Sequence, residues 1–115
     1  MSAGGPSRSD IWDLHLDGAT GHETAKTRPA LILSEDLFNE GPAGLVVVAP
    51  VAKSQGGVRW HVALGASEGG LASLSFIQCE NVRSVSRQRF KKWRGRVSEA
   101  TMQQVEDRLR ILMGL

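Results

Sequence analysis

Two short, continuous apolar runs constrain this chain most, Pro29–Ser34 (PALILS) and Leu45–Val51 (LVVVAPV). Neither is long enough for an ordinary helix, and the second is rich in β-branched residues, so both read as strands buried on both faces. Glycine-rich turns bound them at Gly41-Pro42-Ala43-Gly44 and Ser54-Gln55-Gly56-Gly57. Ile11–Asp17 alternates instead, with Ile11, Asp13, His15 and Asp17 on one face and Trp12, Leu14 and Leu16 on the other. Val58–Leu64 alternates too, grouping Trp60, Val62 and Leu64. After a further turn at Gly65, Gly69 and Gly70, Ser73–Val85 reads as one long strand or a bent pair. Pro50 cannot donate to a ladder and argues for an edge or a bulge. Glu35–Asn39 fits a single helical turn. The last segment changes period: Ser98 suits an N-cap, Met102, Val105, Leu109 and Leu112 recur at helical spacing, and Gly114 suits the end. The fold class expected is mainly β, a small antiparallel barrel closed by a C-terminal helix.

The chain's 115 residues suffice for one core. Residues 1–8 read as a flexible N-terminal tail without the apolar stretch of a secretory signal, and residues 9–115 as a single domain. No apolar run nears the roughly 20 residues of a membrane helix, so no membrane partner is expected. A single cysteine, Cys79, precludes an internal disulfide framework and fits a reducing cytoplasm. The net charge of +2 is unevenly spread. Arg83, Arg87, Arg89, Lys91, Lys92, Arg94 and Arg96 follow one another with no acidic residue between them, leaving the rest of the chain 7 basic against 12 acidic residues, a net of −5. Such asymmetry is the footprint of a polyanion partner, and Phe90 and Trp93 inside the strip are of the type that stacks on unpaired bases. A solvated charged strand–turn face accounts for the strip equally well.

Gly18–Thr27 (GATGHETAKT) is a polar connection of about ten residues, longer than a hairpin needs, ending at Arg28-Pro29 where a buried strand begins. With it, the pattern DIWDLHLD, GHE, TRPALILS, LVVVAPV, HVAL, CENVRS, GRVS and LRILMGL, from about Ser9 to Leu115, resembles the MazF/PemK toxins of bacterial toxin–antitoxin modules. Its most specific part is Gly21-His22-Glu23 followed by Arg28-Pro29. The resemblance implies the SH3-like barrel of MazF- and CcdB-type toxins and a homodimer whose two subunits build one RNA groove. It implies cleavage of single-stranded RNA, sequence-selective and needing no metal or other cofactor, that leaves 2′,3′-cyclic phosphate and 5′-hydroxyl ends. It also implies inhibition by a cognate antitoxin lying across the same surface.

Such cleavage requires a base for the 2′-OH, an acid for the departing 5′-oxygen, and cations beside the phosphorane. Arg28 matches the family's principal catalytic arginine, and its planar guanidinium suits phosphate oxygens. Glu23 and His22 match active-site loop positions, and a histidine's ordinary pKa lets it serve as base or acid near neutrality. Where the family usually carries a catalytic threonine after Pro-Val, this chain has Ala52, which has no side-chain hydroxyl. Ser54 lies two residues on, and in an extended strand it shares the face of Ala52 and supplies the hydroxyl instead. Lys26, Thr27, Lys53 and Arg83 are expected to contact RNA. So are Gln78 and Glu80, which alternation puts on one face where some relatives have an arginine and an aspartate. Cys79 points the other way, as a small buried hydrophobe. His15 and His61 read as structural, no metal-ligand spacing links the three histidines, and no Gly-Lys-Ser/Thr follows Gly70 to make a phosphate loop. Ala52 leaves open a binding protein that has lost turnover, and related barrels leave open a toxin acting on a protein such as DNA gyrase.

Overall fold

The computed structural model describes residues 4–15, 27–53 and 59–115. Their order is β1 (Asp10–His15), β2 (Thr27–Ile32), a one-turn α1 (Asp36–Asn39), β3 (Leu45–Ala52), β4 (His61–Leu64), β5 (Ser75–Gln78), β6 (Arg83–Ser86), β7 (Phe90–Arg96) and α2 (Glu99–Met113). Every strand pairing among the described residues is antiparallel. The sheet runs β4-β5-β3-β2-β1-β7, and β6 pairs with β3 beside β5. Ser73–Val85 is thus the bent pair, β5 and β6, with a 3-10 turn at Cys79–Asn81 between them.

The continuous apolar runs follow from burial on both faces. Leu31 and Leu33 of the β2 segment, with Ala49 and Val51 of β3, join Ile11, Val62, Leu64, Ile77, Met102 and Val105 in one core under β4, β5 and α2. Their neighbours in sequence, Ala30, Ile32, Val46 and Val48, join Trp12, Leu14 and Val85 in a second core on the opposite face. Phe90 meets Trp12 there edge to face, with centroids 5.9 Å apart. Each large side chain removed from water in this way contributes roughly 1.5–3 kcal/mol. β3 is central rather than an edge strand. Its flank pairs with β6 over Leu45–Val48 and with β5 at Val51 and Ala52, so Pro50 falls where the partner changes, a place open to a residue without an N–H.

Four of the seven basic residues of the strip hold parts of the fold together. Arg94 donates to both carboxylate oxygens of Asp13 (3.2 and 3.1 Å), and Arg96 to the buried Asp10 (3.3 Å). Arg89 donates to the carbonyl of His15 (3.0 Å) and Arg87 to that of Asn39. Residues assigned by sequence to the tail also engage the domain. Pro6 is buried, Ser7 N–H donates to Asp10 (3.1 Å), and the Arg8 guanidinium reaches the Leu33 carbonyl and Glu106.

α2 begins where Ser98 Oγ accepts from Thr101 N–H (3.1 Å), and it ends at Gly114 with φ 70°. Glu68 reinforces the start: one carboxylate oxygen accepts from Ser98 N–H (3.0 Å) and from the Thr101 hydroxyl (2.6 Å). Burial acts to raise the pKa of this carboxyl, but the Thr101 and Ser98 hydrogen bonds outweigh it and hold it below its ordinary value. Such a group stabilises the fold above its unfolded pKa, and the contribution fades as pH falls through the lowered value. Glu68→Ala is therefore expected to cost about 1 kcal/mol at neutral pH, lowering the melting temperature by roughly 4 °C. The gap from wild type should close in melts taken below the carboxylate range. An equal gap at pH 3 and pH 7 would refute this account.

Candidate functional site

The β2–β3 register pairs Ile32 with Val48, Leu31 with Ala49 and Ala30 with Pro50. Carried two residues further, it sets Arg28 level with Ala52. Alternation then puts both side chains on the face of Ala30 and Val48, past the end of the second core. Across β3, Ala52 pairs with Phe76, which puts Gln78 on the same face, level with Pro50. The chain then leaves β5 through its 3-10 turn, which drops Cys79 into the core and turns Glu80 and Asn81 outward. Arg28, Pro50, Val51, Ala52, Gln78, Glu80, Asn81, Val82 and Arg83 together line a groove of about 480 Å³.

Among the described residues, two guanidinium groups, Arg28 and Arg83, thus share the groove with one carboxylate, Glu80. Gln78 accepts from Asn81 Nδ2 (3.0 Å). Glu80 Oε2 lies 2.9 Å from His61 Nε2, and the His61 side chain is only 5% exposed. The ring faces Phe76 at 6.4 Å, and its Nδ1 has no hydrogen-bond partner among the described residues. Burial, and secondarily the neighbouring Glu80 carboxylate, pushes the Cys79 thiol up to about 11, so it is an unreactive core residue at neutral pH.

Of the residues singled out by sequence, Arg28, Gln78, Glu80 and Arg83 converge on the groove, and Ala52 lies among them. Gln78 and Glu80 share it through a turn rather than along a continuous strand. Thr27 and Lys53 are exposed at the neighbouring positions and do not line it. His22, Glu23, Lys26 and Ser54 lie outside the described residues. The aromatic residues of the basic strip do not reach the groove: Phe90 packs on Trp12, and Trp93, 52% exposed, stands on β7. His61, read from sequence as a strand residue without a part in the site, holds a groove carboxylate. Its partner is 19 residues away, and the β4–β5 register that pairs His61 with Gln78 creates the contact.

A family model described as PemK-like, MazF-like toxin of type II toxin-antitoxin system matches residues 7–113. Among characterised proteins, the chain is 33% identical over 113 residues to endoribonuclease MazF9 of Mycobacterium tuberculosis, covering 94% of this chain and 96% of that protein. It is 32% identical over 108 residues to endoribonuclease PemK of Escherichia coli, covering 92% and 80% of the two chains. Among solved structures, a MazE–MazF crystal structure from Deinococcus radiodurans superposes with a TM-score of 0.82 at 27% identity, covering 96% of each chain. The order of strands, the closing helix, the Arg28 groove and these likenesses agree: the chain belongs to the PemK-like, MazF-like toxins of type II toxin–antitoxin systems.

Proposed function

We propose that the groove binds single-stranded RNA and that the chain cleaves it, without a metal, as the growth-inhibiting toxin of a toxin–antitoxin pair. The observation that carries this reading is the position of Arg28, at the end of a rigid central strand and on the wall of a groove that also holds Glu80 and Arg83. The RNA 2′-oxygen attacks phosphorus while a base takes its proton, and the 5′-oxygen leaves as an acid returns one. The bond formed closes the 2′,3′-cyclic phosphate, and the bond broken frees a 5′-hydroxyl. Arg28 carries the charge that builds on the phosphorane's oxygens. Glu23 and His22, in the segment that precedes β2, are assigned the proton transfers. The endoribonuclease names of the relatives support RNA as the target over a protein. By the same likeness the partners are a cognate antitoxin and a second copy of the chain, for which exposed Leu37, Ile111, Met113 and Leu115 offer apolar surface.

The test is mixed-sequence RNA incubated with pure protein in EDTA, followed by mapping of the new 5′ ends. New ends that carry hydroxyls, in the absence of free divalent ions, are the expected result; intact RNA would reject the nuclease. A second reading, an RNA-binding toxin that has lost turnover, is favoured by Ala52, which stands in the groove level with Arg28 and has no hydroxyl to offer. Two variants separate the readings. If Ser54 replaces the missing group, Ser54→Ala lowers the cleavage rate about a hundredfold and Ala52→Thr changes it little. If turnover has been lost, the wild type binds without cutting and Ala52→Thr restores cleavage.

A further inference from the structure

His61 and Glu80 form a pair for which neither the barrel nor the cleavage step accounts. The imidazole is almost wholly enclosed, wedged beside Phe76, so its Nε2 is a fixed point 2.9 Å from Glu80 Oε2. A glutamate on a short exposed turn would otherwise sample several rotamers. Tied at one oxygen, it lines a groove whose other charged lining groups among the described residues, Arg28 and Arg83, are both cations. A phosphate will seek those guanidiniums and avoid the carboxylate, which leaves Glu80 to a hydrogen-bond donor of the RNA, and among such donors the base edges carry the sequence.

We infer that Glu80, positioned by His61, is a specificity residue that selects a nucleobase bearing an exocyclic amino group over uracil at one subsite beside the scissile phosphate. A carboxylate only accepts hydrogen bonds. Adenine, cytosine and guanine offer amino donors, whereas the uracil edge sets carbonyl oxygens on either side of a single N–H, and these repel a carboxylate. His61 is a positioning residue: its ring donates to Glu80 and touches no RNA. This inference rests on the RNA reading of the groove but not on turnover.

The experiment uses the full-length protein with two probes. One is a randomised RNA pool whose cut sites are sequenced. The other is a set of 2′-fluoro hexamers, which lack the attacking hydroxyl and cannot be cut, with A, C, G or U placed at each position in turn and their binding measured. At one position the wild type should disfavour uracil by about tenfold. Glu80→Gln, whose amide both donates and accepts, should bring that ratio to within about twofold. His61→Leu should do the same, while His61→Gln, which restores a donor, should recover most of the discrimination. Melting curves taken alongside separate this outcome from loss of fold. A His61→Leu that melts like wild type and still rejects uracil overturns the positioning role, and an unchanged ratio in Glu80→Gln overturns the whole inference. Discrimination in binding without cleavage anywhere would reject the nuclease and leave the inference standing, whereas cleavage with no position disfavouring uracil would do the reverse.

Discussion

Arg28→Ala is expected to reduce RNA cleavage by at least roughly 10²–10³-fold while leaving the fold intact, since removing one preorganised donor to a developing oxyanion typically costs that much. Arg28 is the first residue of β2 to face the groove, and it pairs with Leu14 on its other flank. Pro29 restricts it to extended backbone, so the guanidinium projects from a stem that is already fixed. Its side chain fills no core, so the loss is read in the rate rather than in stability, where an exposed substitution moves unfolding by about 0.5 kcal/mol or less. Arg28→Lys should recover only part of the activity, because an ammonium is a point charge and lacks the planar fork that meets two phosphate oxygens at once. Single-turnover cleavage of a fluorogenic oligonucleotide, with a thermal melt of each variant, measures both quantities. An Arg28→Ala protein that cuts within tenfold of wild type would move the chemistry away from this groove.

The parts of the fold legible in sequence are those whose cause is local. PALILS and LVVVAPV declare two-sided burial by composition alone, and the two cores use alternate residues of each run. Ser98 and Gly114 mark the ends of α2 by cap chemistry, and the helix starts and stops at those two residues. Arg28, singled out by its match to the family's arginine at the end of a polar loop, lines the groove. What sequence does not reveal is partnership at a distance. Asp10 and Asp13 pair with Arg96 and Arg94 more than 80 positions away, so part of a strip that reads as a polyanion surface fastens β1 to β7. His61 and Glu80 meet for the same kind of reason, through the register of β4 on β5 and a turn that interrupts the expected alternation. Pro50 also needed the pairing map, since the change of partner along β3 permits a proline in a central strand.

Gly70→Ala and Gly95→Ala should each destabilise the protein by more than about 3 kcal/mol, several times the cost of a typical surface substitution. The turn at Glu68–Gly70 lies directly on β7, backbone against backbone. A Cβ on Gly70 would come within 1.9 Å of the Arg94 carbonyl oxygen, and φ there is 77°, a region L-residues rarely adopt. A Cβ on Gly95 would meet Gly69 C at 2.6 Å and Gly70 N at 2.8 Å from the other side. Neither clash is with the flexible end of a side chain, so relief requires the two chain segments to part. Gly65→Ala is the control: the same loop, ordinary φ, and nothing within 4 Å of the added methyl, so it should be neutral or slightly stabilising. Urea unfolding of the three variants tests the contrast, and a Gly70→Ala midpoint close to that of Gly65→Ala would refute it. The consequence extends past one contact. Arg94 donates to the Gly70 carbonyl (3.3 Å) as well as to Asp13, and Glu68 of the same turn caps α2. Parting the turn from β7 should therefore loosen the helix start too, and Gly70→Ala should erase the melting difference that Glu68→Ala produces in the wild-type background.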